Sequence, residues 1–156
     1  MPDTADVTTH LDHDTVSATG TVAASPHEVF EVLRRPANHA ALSGDATVRD
    51  AAGGDAVLAA GSRFTMRMKV GVPYRVTSRV VEFEPERLLA WCHFGGHRWR
   101  WTLAPADGGT EVTEMFDMST SRLAPVLRLV GYPKRHEDNV RASVANLVAR
   151  FATPAG

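Results

Sequence analysis

His97 and Glu114 are the two ionisable residues on one side of a segment otherwise built of Trp, Phe, Leu, Val and Met, and the turn between them fixes their relation. Asp107-Gly108-Gly109 is tight-turn chemistry. With Pro105 opposite Thr110, Leu103 faces Val112, Trp101 faces Glu114, Trp99 faces Phe116 and His97 faces Met118, all on one side of a strand pair. The other side takes Thr102 with Thr113, Arg100 with Met115 and Arg98 with Asp117, a set suited to water. A carboxyl held against apolar walls has a raised pKa, and an imidazole there would exchange protons near neutrality. Those are the properties of a general acid and a general base, so His97 and Glu114 are the candidate catalytic residues. Hydrogen-bonded structural roles are the alternative for both.

Other chemistries have less behind them. His93 and His97 straddle Gly95-Gly96. A two-residue turn would pair Phe94 with His97 and send His93 to the opposite face, whereas a three-residue turn with a bulge would pair the two histidines, and the spacing does not choose. Two imidazoles fall short of a metal set and no HExxH pattern is present, so no metal is expected. Cys92, the single cysteine, sits in an apolar run with no helix start to activate it, which excludes an internal disulfide or a Cys-zinc site and fits a reducing, cytoplasmic setting. Gly53-Gly54 lacks the Lys-Ser/Thr of a phosphate-binding loop. No cofactor is expected.

The elements that must position these residues follow from period and punctuation. Strands are expected over 63–70, 74–84, 88–94, 97–104 and 110–118, separated by Val72-Pro73, Glu84-Pro85-Glu86, Gly95-Gly96 and Asp107-Gly108-Gly109. Separators this short make antiparallel neighbours and leave no room for parallel crossovers. Phe64, Met66 and Met68 alternate with Arg63, Thr65, Arg67 and Lys69, while Tyr74 and Ser78 share a face with Val76 and Val80. Together with Trp91, Trp99, Trp101 and Phe116 these are candidate ligand contacts, Met being suited to adaptable walls. Arg67, Lys69, Arg75, Arg79, Arg98 and Arg100 would form a basic outer face, either simply solvated or docking an acidic partner such as an acyl carrier protein.

Before these strands, residues 15–23 read as a strand stopped by Ser25-Pro26, and Ser25, Pro26 and Glu28 form a capping-box start for a helix ended by Pro36. One more helical turn is expected over 38–43, a short strand over 46–49 and a loop at Gly53-Gly54-Asp55. After Ser119, a short helix over 124–130 precedes a long amphipathic one over 134–152, whose stripe of Val140, Val144, Leu147, Val148 and Phe151 recurs every three or four residues. Val140 and Val144 complete the candidate ligand contacts. The fold class is α+β: one curved antiparallel sheet of six to seven strands covering a long C-terminal helix. Residues 1–14 read as a flexible tail and residues 15–152 as a single domain.

Composition bounds the partners. With 156 residues, 17 Lys+Arg against 18 Asp+Glu and 44% hydrophobic content, the chain has the make-up of one globular domain without the basic excess of a nucleic-acid binder. Its apolar runs are too short or too interrupted for an integral membrane protein.

The element order and several strings resemble the SRPBCC superfamily of START-like, helix-grip domains, in its polyketide cyclase/dehydrase-like bacterial branch. The strings are Ala24-Ser25-Pro26-His27-Glu28-Val29-Phe30, the run from Val80 to Trp91, and His97-Arg98-Trp99-Arg100-Trp101 followed by Pro105, Gly108, Gly109 and Thr110. The resemblance spans residues 16–151, and Asn38-His39 stand where many bacterial relatives have a Trp. It implies a deep apolar cavity between sheet and helix that binds a hydrophobic or aromatic small molecule. The implied activity is that of a cofactor-independent cyclase or aromatase; the alternatives are a non-catalytic lipid or small-molecule carrier and a chaperone-activator-like interaction domain.

Overall fold

A computed structural model describes residues 6–43, 48–52, 57–93 and 95–152. The elements run β1 (Thr8–Leu11), β2 (Thr15–Val22), α1 (Pro26–Leu33), α2 (His39–Leu42), β3 (Val48–Ala52), β4 (Arg63–Val70), β5 (Val72–Glu84), β6 (Leu88–Cys92), β7 (Arg98–Ala106), β8 (Gly109–Asp117), α3 (Ala124–Leu129), α4 (Tyr132–Arg135) and α5 (Glu137–Arg150). The described strands form one antiparallel sheet in the order β1-β2-β8-β7-β6-β5-β4-β3. It has eight strands rather than six or seven. The expected tail accounts for one of them: Thr8–Leu11 pair with Val16–Thr19, and Val7 is buried in the core. A four-residue strand carries too little alternation to stand out in sequence. The expected strand over 46–49 lies partly outside the described residues, where β3 begins at Val48, and the Gly53-Gly54-Asp55 loop lies wholly outside them.

Local chemistry accounts for the element boundaries. Ser25 and Glu28 form the reciprocal capping box, the Glu28 backbone N–H donating to Ser25 Oγ and the Ser25 N–H to Glu28 Oε2 at 2.9 Å. The β7–β8 register is the one the turn dictates, with Pro105 opposite Thr110, Trp101 opposite Glu114 and Trp99 opposite Phe116. A register shift between Val80 and Glu82 bends the long β5 strand, which helps the sheet to curl. The α5 stripe of Val140, Val144 and Leu147 is fully buried against the concave face. Gly20 on β2 makes that approach possible, since a Cβ there would stand 3.0 Å from Val144 Cγ1.

One end of the sheet is defined by a row of partners, Thr15, Asp117, Arg98, Cys92, Arg79 and Arg63, running from β2 to β4. Beyond this row β4 and β5 continue to their turn at Gly71, and the chain leaves β8 towards α3. The helical segment expected over 134–152 is broken at His136, so α4 and α5 are separate. The break turns the Tyr132 and His136 side chains towards the sheet, against Phe116.

Candidate functional site

Between the sheet and α5 lies a cavity of about 480 Å³. β4 contributes Phe64, Met66 and Met68 to its wall, and β5 contributes Tyr74 and Ser78. Trp91, Trp99 and Trp101 come from β6 and β7, with His97 from the turn between those strands and Glu114 from β8. Alternation puts these residues on one face, and the curl of the sheet points them inward.

Three expected contacts are placed elsewhere. Phe116 is wholly buried beneath the wall, covered by Trp99 at 4.9 Å, His97 at 5.0 Å and His136 at 4.5 Å between ring centroids. Val140 and Val144 are also fully buried and lie outside the cavity lining, because their stripe packs on the sheet, with Val144 over Gly20. The cavity instead meets the adjacent helical stripe, His136, Asn139 and Ser143, spaced at three and four residues. That polar stripe beside an apolar one was the sequence signal for these missed residues. His39 was missed as well. Its ring stacks on Trp91 at 4.8 Å, meets Phe64 edge-on at 5.6 Å, and its Nε2–H donates to the Leu33 carbonyl at 2.9 Å.

Glu114 is the distinctive polar group. Burial among apolar walls raises its carboxyl from the ordinary 4.5 to about 8, opposed by a hydrogen bond with Ser143. It is therefore protonated at neutral pH. Its Oε2 is buried without a hydrogen-bond partner among the described residues, as is Asn139 Oδ1. A neutral carboxyl can donate a proton or a hydrogen bond to a ligand oxygen that reaches it.

His97 departs from expectation. Burial, helped by the neighbouring His93 and His136, pushes its imidazole down to about 4, so it is neutral at pH 7 rather than poised to exchange protons there. The His93–His97 relation is settled by a turn in which the Gly96 N–H donates to the His93 carbonyl at 2.9 Å, bringing the two rings edge to face at 4.2 Å. Both histidines thus line the cavity.

The basic outer face is partly neutralised. Arg98 and Arg100 both bind Glu82, at 2.9 and 2.8 Å, and Arg67 binds Asp50 at 2.6 Å. Glu82 is brought beside Arg98 and Arg100 by the β5–β6–β7 register, which no single hairpin of the sequence specifies.

Comparison with known proteins places this grip of a curved sheet on one helix in a family. The family model described as polyketide cyclase/dehydrase and lipid transport matches residues 13–152. The chain belongs to this family. Among curated proteins, the uncharacterized protein Rv0088 of Mycobacterium tuberculosis is 37% identical over 145 residues, covering 88% of this chain and 64% of its own length. The chain thus spans about two thirds of the length of that relative. Among solved structures, a protein from Arthrobacter aurescens has a TM-score of 0.70 at 14% identity, covering 97% of this chain and 94% of its own. Protein Ms6760 from Mycobacterium smegmatis has a TM-score of 0.65 at 20% identity, covering 93% and 95%. These structural likenesses establish the helix-grip fold. Among the described residues no helix is long and apolar enough to cross a membrane.

Proposed function

We propose that the cavity binds an aromatic or polyketide-like small molecule and promotes its cyclisation or dehydration, with Glu114 as the proton donor. The observation that carries this reading is a protonated carboxyl with an unpartnered oxygen, buried in a cavity walled by Trp91, Trp99 and Trp101. The aromatic walls hold a flexible chain folded, so that orientation supplies part of the rate. In a dehydration, the Glu114 proton passes to the departing hydroxyl as its C–O bond breaks. The neutral His97 imidazole, a weaker base than an ordinary histidine, takes the proton from an adjacent carbon already acidified by the substrate's own carbonyl, a double bond forms, and water leaves. Return of the proton from His97 to Glu114 restores the site.

The test is turnover of a linear polyketide mimic by wild type, Glu114→Gln and His97→Ala, with ligand binding measured in parallel. Glu114→Gln keeps shape and binding while turnover falls at least about tenfold, equivalent to roughly 1.4 kcal/mol of transition-state stabilisation. Unchanged turnover in both variants removes the acid/base role. An unmodified lipid retained through purification, with no turnover, favours the carrier.

A further inference from the structure

Two apolar projections lie at the end of the cavity lined by Val70, Tyr74 and Tyr132, where Val70 and Tyr74 are exposed. One is the β4–β5 turn, where Val70 is 62% and Val72 is 72% exposed. The other is α3, where Val126 is 60% and Leu129 is 87% exposed. Both lie beyond the same end row of the sheet, because β4 and β5 overrun it and the chain leaves β8 there. Asp14, just before β2, anchors α3 at this end through a bidentate pair with Arg128. Val70 and Tyr74 border the cavity on the first side, and Tyr132, two residues past Val130, borders it on the second.

Large aliphatic side chains at the tips of projecting elements are unfavourable in water unless something covers them. The charges at their shoulders identify what does. Lys69 and Arg75 flank the first tip, and Arg122, Lys134 and Arg135 flank the second, all exposed. Most acids at this end face cations, Asp14 pairing with Arg128 and Glu137 and Asp138 sharing Arg141, while Asp12 accepts the His13 backbone N–H. Uncharged tips inside a cationic collar match a bilayer interface. Aliphatic groups enter the boundary between headgroups and acyl chains while Lys and Arg remain with anionic headgroups. An acidic protein partner would instead call for cations at the centre of a continuous face, where this molecule has two separate aliphatic tips and a cavity mouth.

We propose that this end of the molecule docks on an anionic lipid bilayer, seating the cavity mouth against the membrane so that an apolar ligand passes between the two without crossing water. The proposal goes beyond catalysis. It is tested without ligand, so its outcome is independent of whether Glu114 transfers a proton. The full chain is floated with phosphatidylcholine vesicles and with vesicles of phosphatidylcholine and phosphatidylserine in equal parts. Wild type floats with the anionic vesicles at low salt and is largely released at about 1 M salt, where charges are screened within roughly 3 Å. Val72→Asp and Leu129→Asp, both at exposed positions, each lower the partition roughly tenfold, the scale of one lost aliphatic contact. The double variant Lys69→Glu with Arg75→Glu does the same, and circular dichroism verifies that all three remain folded. Failure of the wild type to float, or flotation of the variants like wild type, overturns the proposal. So does a concentration-dependent dimer that Leu129→Asp dissolves without any vesicle binding, or variants that lose binding to an acidic acyl carrier protein while still floating like wild type.

Discussion

Replacing Glu114 by Gln should stabilise the protein, and increasingly so as pH rises. Folding holds this carboxyl protonated up to about pH 8, whereas the unfolded chain releases the proton near 4.5. Between those values the folded state binds one proton more than the unfolded state, so wild-type stability falls with rising pH by up to about 1.4 kcal/mol for each tenfold drop in proton activity. The penalty relative to an ordinary carboxyl is about 1 kcal/mol at pH 5 and about 4 kcal/mol at pH 7.5. Gln keeps the shape and a group able to bond Ser143 but cannot ionise. Urea denaturation of both proteins at pH 5, 6, 7 and 7.5 therefore yields a stability difference that widens by about 3 kcal/mol across the series. Parallel curves, with a constant difference, would mean that Glu114 ionises like an exposed carboxylate. The proton-donor reading would then be wrong, whatever the turnover assays gave.

His39 should act in the opposite sense on the acid side: burial pushes it down to about 4, so the stability it contributes is intact above 6.5 and is lost as pH falls towards 4. Wild type should lose about 2 kcal/mol relative to His39→Gln between pH 7 and pH 5, again by urea denaturation. Gly20→Val should destabilise by about 1–3 kcal/mol, because its Cβ already meets Val144 Cγ1 at 3.0 Å and β-branching adds bulk where α5 approaches; the thermal midpoint reads this directly. Ser25→Ala removes one half of the α1 capping box and should cost about 1 kcal/mol, measured the same way.

The sequence by itself determined what depends on near neighbours along the chain. The α1 cap, the β7–β8 register across Asp107-Gly108-Gly109 and the α5 stripe are set by local hydrogen bonding and side-chain period, and each is found as the residues dictate. Those same rules put Trp101 and Glu114 side by side on an inward face, so this part of the candidate site was legible from one hairpin. The rest comes from β4, β5 and β6 and from helices distant in sequence. Only the tertiary structure decided that α5 turns Asn139 and Ser143 to the cavity and spends Val140 and Val144 on the sheet, because the rotation of a helix about its axis depends on what it packs against, here Gly20. The neutrality of His97 likewise depends on its burial and on His93 and His136, which meet it from one turn and a helix break. Burial and proximity in space are not encoded in any single stretch of chain. Glu82 shows the same limit on the outer face, where three consecutive strands must align before one carboxylate can hold two arginines.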